Sequence, residues 1–148
     1  MGLLTIIRKA KLKEREARVL VLGLDNAGKS SVLCALLGGD LNSISPTLGF
    51  DIQTLVIASV QCNLWDIGGQ ETIRHFWRNY FEETDGLVWV VDSADVGRLE
   101  TCREQLQEVL MEERLVGVPV LILANKQDLS GALGVEEIAS KNQYCWSG

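Results

Sequence analysis

The sequence predicts an α/β fold in which a mostly parallel sheet carries helices on both faces. Three observations lead to this class. Short apolar runs alternate along the chain with segments of helical periodicity. A glycine-rich segment, G-x-x-x-x-G-K-S, follows the first strand-like apolar run and precedes a helical segment. Residues 50–57 and 60–66 alternate apolar and polar side chains, which predicts one antiparallel hairpin over 50–66.

The composition is that of a globular domain of ordinary size. The chain has 148 residues, of which 47% are hydrophobic and 23% are charged, and this suffices for a real core. No apolar run approaches the roughly 20 residues that span a bilayer. The net charge of −6 argues against a nucleic-acid partner. Scattered cysteines without metal-ligand spacing predict free thiols in a reducing compartment: Cys34, Cys62, Cys102 and Cys145.

Residues 1–17 are predicted to form an N-terminal amphipathic helix that precedes a domain over residues 18–148. Its apolar side chains fall at helical spacing, and six basic residues follow within residues 8–18. Such a helix lies on a membrane surface, docks in a groove of its own domain, contacts a partner, or stays solvated while its few apolar residues cover the core. The pattern for acylation at Gly2 is broken, because Ile6 stands where that pattern has Ser or Thr.

The phosphate-loop signature spans Gly23 to Ser30, between a predicted strand at 19–22 and a predicted helix at 31–37. This is the context of a P-loop NTPase. Glycine permits conformations that aim successive N–H groups at one point, and the helix start adds its positive end. A chance glycine turn with a solvated lysine is disfavoured by eight matched positions in this context. The predicted nucleotide-binding residues are Gly23, Asp25, Asn26, Ala27, Gly28, Lys29, Ser30 and Ser31, with Lys29 on the β- and γ-phosphates and Ser30 on Mg²⁺.

The segments after the loop complete the sheet and its helices. Proline and glycine interrupt a polar loop, unbroken apolar runs predict buried parallel strands, and apolar residues at helical spacing predict helices. In chain order these are a functional loop (40–50), the hairpin with its turn at Ala58–Ser59, a partly helical aromatic segment (71–80), a buried strand (86–92), a helix near 99–110, a buried strand (118–124) and a short helix (135–140).

The chain also contains the acid and the amide that triphosphate chemistry needs. Asp66 ends a predicted strand, where a carboxylate holds Mg²⁺ directly or through water, and Gly69 can offer its N–H to the γ-phosphate. Gln70, the next residue, can orient an attacking water through its side-chain amide. Taken alone, residues 66–69 are equally well a simple glycine turn.

A later segment, Asn125 to Asp128, predicts guanine recognition. The Asp128 carboxylate accepts two hydrogen bonds from the N1–H and the exocyclic amine of guanine, which adenine cannot supply. Leaving that carboxylate unpaired over adenine would cost on the order of several kcal/mol. Asn125 would brace the site, and the stem of Lys126 would lie along the base. The N-K-x-D pattern is weak alone and strong at this distance from a phosphate loop.

These motifs together resemble the small GTPases of the ADP-ribosylation-factor family. Four segments carry the resemblance, which covers residues 1 to about 134: Gly23–Ser30, Ser45–Phe50, Trp65–Gln70 and Asn125–Asp128. Met1–Ile6 and Trp77–Glu82 further resemble the Arf-like members of that family.

The resemblance implies roles for several residues. Thr47 would bind Mg²⁺ and the γ-phosphate in the triphosphate state only, beside Ser30 and Asp66, and Gln70 would position the attacking water. Effectors would be gripped by an aromatic triad, for which plain core packing is the alternative: Phe50, Trp65 and Tyr80. In the family, the hairpin shifts register between nucleotide states, coupled to release of the N-terminal helix.

The resemblance also implies a function. The protein would be a molecular switch that binds GTP or GDP with Mg²⁺, hydrolyses GTP to GDP, and cycles between effector-binding and inactive states. No arginine is placed as a catalytic finger within the chain, so intrinsic hydrolysis should be slow, and a GTPase-activating protein should accelerate it by roughly 10³- to 10⁵-fold. An exchange factor would reload it.

The resemblance implies particular effectors and locations as well. The implied effectors are a tubulin-folding cofactor and carriers of lipidated cargo. The implied locations are the cytoplasm, the centrosome or microtubules, and mitochondria. We expect a monomer with at most peripheral membrane contact.

The chain departs from the family after the short helix. Family members continue into a last strand, whose loop touches guanine, and a C-terminal helix, whereas residues 141–148 match neither. We therefore expect a C-terminally truncated domain with an exposed apolar patch and strand 118–124 as an uncovered edge. This leaves open a second function, an interaction module that keeps the effector surface without a competent guanine pocket. A small-molecule kinase, the third hypothesis, lacks the signals of a lid or an acceptor site.

Overall fold

The computed structural model describes residues 2–6 and 16–141 and confirms the predicted fold class. The sheet has five strands in the order β2-β3-β1-β4-β5. Its strands are β1 (Glu16–Leu22), β2 (Phe50–Ile57), β3 (Val60–Ile67), β4 (Gly86–Asp92) and β5 (Val120–Asn125). The helices are α1, of which residues 2–6 are described, α2 (Lys29–Leu36), α3 (Leu99–Leu110) and α4 (Val135–Lys141).

The central strand, β1, positions the site. It pairs in parallel with β3 and β4, and β4 pairs in parallel with β5. Its apolar run from Val19 to Leu22 is fully buried, as expected for a parallel strand covered on both faces. Because parallel strands end at the same edge of a sheet, the phosphate loop after β1 lies beside the ends of β3, β4 and β5.

The predicted hairpin is present and its register is unbroken. β2 and β3 pair antiparallel from Phe50 opposite Ile67 to Ile57 opposite Val60. Ala58 and Ser59 both have positive φ, at 50° and 66°, as a two-residue type I′ turn requires. The second strand of the hairpin, β3, also pairs in parallel with β1, and the pairing of Val21 with Asp66 brings this acid to the edge where β1 meets the phosphate loop.

Alternate side chains of β1 pack into two apolar clusters, one on each face of the sheet. On one face Leu20 and Leu22 pack with α3, α4 and a T-shaped pair, Trp77 and Trp89, whose ring centroids lie 5.7 Å apart. On the other face Val19 and Val21 pack in a cluster that includes residues of α1 and α2. Helices therefore cover both faces, as predicted.

Two predicted elements differ in detail from the structure. Residues Glu71–Tyr80, predicted to be partly helical, form 3₁₀ turns, anchored where the indole of Trp77 donates to the Gly68 carbonyl at 2.9 Å. Strand 118–124 was predicted to be buried, but every residue of β5 is only half-buried. Within the described residues β5 pairs with β4 alone, so one edge of the strand has no neighbouring strand there. Residues 142–148, on which the predicted truncation depends, lie outside the described part of the chain.

The first residues of the chain dock on its own domain. Ile6 is fully buried against the start of β4, and Gly2 lies beside Leu121 of β5. Docking is thus the alternative that the described residues 2–6 support. The basic run lies mostly in residues 7–15, outside the described part. No helix in residues 2–6 and 16–141 has both the length and the apolar character needed to cross a membrane.

The docked segment depends on a glycine at the start of β4. A Cβ at Gly86 would lie 2.2 Å from Cδ1 of Ile6. We expect Gly86→Ala to push Ile6 out of its site, to lower the free energy of unfolding by about 1–3 kcal/mol, and to speed amide hydrogen exchange in residues 2–6. Gly134→Ala is the matched control, because a Cβ there meets nothing within 4 Å. Unchanged exchange in residues 2–6 of Gly86→Ala would contradict this account.

Candidate nucleotide-binding site

Two glycines give the phosphate loop its shape. Gly23 has φ 151°, and a Cβ there would lie 2.4 Å from the Val90 carbonyl oxygen. Gly28 has φ 95°, and a Cβ there would lie 2.3 Å from Nδ2 of Asn125. Both positions combine a left-handed backbone with a close approach, so only glycine fits. Gly28 is also the N-terminal cap of α2, which directs the start of that helix at the cleft.

Five consecutive carbonyls of the loop accept side-chain donors. The Lys29 ammonium group donates to Gly23 and Leu24, Arg98 donates to Asp25, Lys126 to Asn26, and Asn125 to Ala27, at distances of 2.6–3.1 Å. The C=O and N–H groups of a trans peptide point in opposite directions. Of the N–H groups in these five peptides, those of Asp25 and Ala27 donate to the Gly69 and Leu24 carbonyls. This leaves the N–H groups of Leu24, Asn26 and Gly28 to turn toward an anion.

The ammonium group of Lys29 is buried within this loop. The residue is 6% exposed, and burial lowers the pKa of Lys29 to about 8, although the charges of Asp66 and Asp25 oppose this shift. A phosphate in the loop would add negative charge beside the ammonium group and favour its protonated form. The ammonium group of Lys29 therefore lies inside the loop where the sequence predicts it to bind phosphate, and that role stays a prediction.

Three oxygen-bearing side chains converge beside Lys29. The hydroxyl oxygens of Ser30 and Thr47 lie 2.8 Å apart. Thr47 donates to Oδ2 of Asp66 at 3.2 Å, and Ser30 donates to the same oxygen. The other oxygen, Oδ1, is buried and has no hydrogen-bond partner among the described residues. A buried, unpaired carboxylate oxygen beside two hydroxyls fits a hard cation such as Mg²⁺.

A cleft of about 440 Å³ joins the loop to these residues. It is bounded by the phosphate loop on one side and by residues 44–47 and 68–70 on the other. Most of the residues predicted to contact nucleotide line it together: Asp25, Asn26, Gly28, Lys29, Ser30, Ser31, Thr47, Gly69 and Gln70.

The predicted guanine-reading segment begins at the last residue of β5, at the same edge of the sheet as the phosphate loop. Lys126 has a left-handed backbone, with φ 62°, and its ammonium group also pairs with Asp92 at 2.8 Å. Asn125 and Lys126 both donate to carbonyls of the phosphate loop, as described above. Asn125, which was predicted to brace the site, contacts the loop through its hydrogen bond to the Ala27 carbonyl. Asp128 is exposed and lies outside the lining of the phosphate cleft.

The three rings of the predicted aromatic triad lie together. Phe50 and Trp65 belong to the hairpin, and Tyr80 ends the 3₁₀ segment that follows it. The ring centroids of Phe50, Trp65 and Tyr80 are 5.5–5.9 Å apart. Phe50 is 48% exposed, more than plain core packing would leave. The guanidinium of Arg18 lies 4.0 Å from the Trp65 ring centroid and donates to the Tyr80 carbonyl at 3.0 Å. Arg18 thus joins Trp65 and Tyr80, the two half-buried members of the triad.

Sequence reasoning missed three residues that contact this site. Arg74 and Arg98 both pair with Asp25, and Asp92 pairs with Lys126. No motif marked them, because each contact joins residues 34 to 73 positions apart. The alternation of strands and helices predicts that strand ends meet, but it does not say which side chains touch there.

Comparison with known proteins gives one consistent family. The ADP-ribosylation factor family matches residues 3–144. ADP-ribosylation factor-like protein alp41 of Schizosaccharomyces pombe is 60% identical over 139 residues, which cover 94% of this chain and 75% of that protein. ADP-ribosylation factor-like protein 2 of Arabidopsis thaliana is 58% identical over 138 residues, which cover 93% and 75%.

A solved structure agrees with these sequences. The Arl6 BBS3 small GTPase from Trypanosoma brucei, with bound nucleotide analogue GppNp, has a TM-score of 0.79 to this chain at 29% identity, covering 86% of this chain and 77% of that one. The resemblance that the motifs predicted, including the likeness to Arf-like members, is confirmed.

The buried Lys29 predicts a pH dependence of nucleotide binding. Above pH 8 the ammonium group loses its proton in the free protein, so binding must be accompanied by proton uptake and affinity falls as the pH rises. We expect GDP to bind about tenfold more weakly at pH 9 than at pH 7, measured by fluorescence titration at constant Mg²⁺. Lys29→Arg stays charged over this range and should give a flat profile. An equal fall in that variant would assign the effect to another group.

Proposed function

The chain belongs to the ADP-ribosylation factor family of small GTPases, and on that premise we propose that it is a switch in which GTP with Mg²⁺ orders residues 44–47 and Gly69 around the γ-phosphate. Members of this family hydrolyse GTP. Hydrolysis would remove the γ-phosphate and release both segments, which is the usual order-to-disorder device of such switches.

The observation that carries this proposal is the convergence of Thr47 on Ser30 and Asp66. Thr47 lies in a loop with few other anchors, and its hydroxyl reaches the P-loop serine and the acid of β3. A loop held mainly at such a point changes its order when the ligand there changes. The contact therefore supports a role for Thr47 as the sensor of the triphosphate state.

Each residue of the cleft has a role in the proposed reaction. Lys29 and the loop N–H groups hold the β- and γ-phosphates, and Gly69 offers its N–H to the γ-phosphate. Gln70 orients a water whose oxygen attacks the γ-phosphorus, while the bond to the β–γ bridging oxygen breaks and GDP leaves. Mg²⁺, bound by Ser30, Thr47 and, through water, Asp66, would neutralise charge on the phosphates.

Guanine selection would lie in Asn125, Lys126 and Asp128. The first two already brace the phosphate loop, so base and phosphate recognition share one support. Asp128 would accept hydrogen bonds from the guanine edge.

The partners of this switch would follow from the family. A GTPase-activating protein and an exchange factor would set the two rates of the cycle. Effectors would bind the triad of Phe50, Trp65 and Tyr80, of which Phe50 is exposed and the other two are half-buried. The resemblance supports a tubulin-folding cofactor and carriers of lipidated cargo as effectors. It also supports a cytoplasmic monomer that reaches the centrosome, microtubules or mitochondria, with at most peripheral membrane contact.

Replacing Gln70 tests the reaction and the competing interaction-module hypothesis together. Gln70→Leu removes the amide that orients water, so we expect hydrolysis to slow by roughly 10- to 100-fold. Chromatography of the released nucleotide should find GDP in the wild-type protein and GTP in the variant. If neither the wild-type protein nor Gln70→Leu carries or binds nucleotide, the result would instead favour the hypothesis of an interaction module without a competent guanine pocket.

Replacing Thr47 tests the sensor. Thr47→Asn should weaken binding of a non-hydrolysable GTP analogue more than binding of GDP, because only the triphosphate engages this hydroxyl. Ser45→Ala, in the same loop, is the matched control. Equal losses for both nucleotides, measured by competition titration, would count against a sensor role.

A further inference from the structure

We propose that Arg74 is a positioning residue for GTP hydrolysis, which holds the Gly69–Gln70 peptide in place and is itself fixed through Asp25 by Arg98. The inference rests on the proposed function, because it takes Gln70 as the residue that orients water. None of the sequence motifs includes Arg74 or Arg98.

The guanidinium of Arg74 bridges the segment 68–70 and the phosphate loop. Its Nε donates to the Gly69 carbonyl at 2.8 Å, and its Nη2 donates to Oδ1 of Asp25 at 3.3 Å. The Gly69 carbonyl also accepts the backbone N–H of Asp25 at 3.1 Å. The Arg74 side chain is only 12% exposed, so its bond to the buried Gly69 carbonyl is largely shielded from water, whereas the Asp25 side chain is 41% exposed.

Holding this carbonyl fixes the residue that follows it. The C=O of Gly69 and the N–H of Gln70 belong to one planar peptide, so two donors on the carbonyl set the direction in which the Gln70 backbone leaves. Gly69 itself has no room to move inward, since a Cβ there would lie 2.3 Å from the Gly23 carbonyl oxygen. Arg74 therefore acts on Gln70 through the backbone without touching the reacting atoms.

Arg98 makes Asp25 a fixed anchor for Arg74. Its Nη1 donates to Oδ1 of Asp25 at 2.8 Å, and its Nη2 donates to the Asp25 carbonyl at 2.9 Å. Its Nε donates to Asp95 at 2.7 Å, which holds the guanidinium at the start of α3. Asp25 is thus clamped at both its side chain and its backbone.

Arg74 and Arg98 also compensate the negative charge of Asp25 within a loop that is predicted to bind phosphate. Burial alone would raise the pKa of Asp25, but the hydrogen bond and charge of Arg98, with the charge of Arg74, outweigh burial and lower that pKa. Asp25 stays ionised, and the neighbouring guanidinium groups offset its repulsion of the nucleotide phosphates.

A structural ion pair and a positioning residue make different kinetic predictions. A structural pair would lower stability and nucleotide affinity together. A positioning residue lowers the rate of the chemical step while bound nucleotide stays in place. Lysine cannot donate to two acceptors with the fixed geometry of a guanidinium, so Arg74→Lys should resemble Arg74→Ala in rate while it keeps the charge.

The experiment is single-turnover hydrolysis by the 148-residue protein loaded with GTP and Mg²⁺, together with GDP dissociation rates and thermal unfolding. We expect Arg74→Ala and Arg74→Lys to slow hydrolysis by roughly 10- to 100-fold, with GDP dissociation within about threefold of wild type. Arg78→Ala is the matched control, because Arg78 is exposed in the same 3₁₀ segment. Wild-type hydrolysis in both Arg74 variants, or a loss of nucleotide as large as the loss of rate, overturns the proposal.

A double-mutant comparison tests the anchor and guards against misfolding of a single variant. In an Asp25→Asn background, Arg74→Ala should cost less in rate than it does in the wild-type chain, because the anchor is already weakened. Fully additive losses overturn the role of Asp25. Gln70→Leu, assayed in parallel, distinguishes failure of the proposed function from failure of this inference. Normal hydrolysis by Gln70→Leu would contradict the proposed function. Slow hydrolysis by Gln70→Leu together with normal hydrolysis by the Arg74 variants would contradict only the inference about Arg74.

Discussion

The backbone carbonyls of residues 23–27 all accept hydrogen bonds from side chains, and the site depends on this arrangement. A loop that binds an anion with its N–H groups cannot pair its own carbonyls in regular structure, so other groups must satisfy them. Here the donors are cationic or amide side chains of Lys29, Arg98, Asn125 and Lys126. Each such bond contributes on the order of 1–3 kcal/mol when the donor is charged. The loop is therefore held in its binding shape by the protein around it.

The donors come from three different places in the fold, so the loop ties those places together. Lys29 lies at the start of α2, Arg98 at the start of α3, and Asn125 with Lys126 at the end of β5. The parallel sheet brings these positions to one edge because β1, β4 and β5 are neighbours that run in the same direction. A displacement of Asn125 or Lys126 therefore reaches the phosphate loop through a single hydrogen bond.

The two segments proposed to contact the γ-phosphate differ in how firmly they are attached. Gly68 and Gly69 are buried, and their backbone groups bond to the phosphate loop, to Arg74 and to Trp77. Residues 44–47 reach the site through the Thr47 hydroxyl, and so few polar contacts can be broken and remade at modest cost. The β3 strand between them is a full member of the sheet. The site therefore combines a phosphate loop held by many hydrogen bonds with one loop, residues 44–47, held by few.

The sequence by itself determined the local features of this protein. Spacing gave the phosphate loop, the hairpin with its turn at Ala58–Ser59, and the order of strands and helices, because each depends on near neighbours in the chain. The resemblance to a family added the role of Thr47. Only the tertiary structure decided that Ile6 docks against Gly86, that β5 is half-buried, and that Arg74 and Arg98 share Asp25. The contacts of Ile6 and of Asp25 join residues 49 to 80 positions apart. Over such separations, strand order and side-chain direction decide which residues meet, and the periodicity of the sequence does not indicate them.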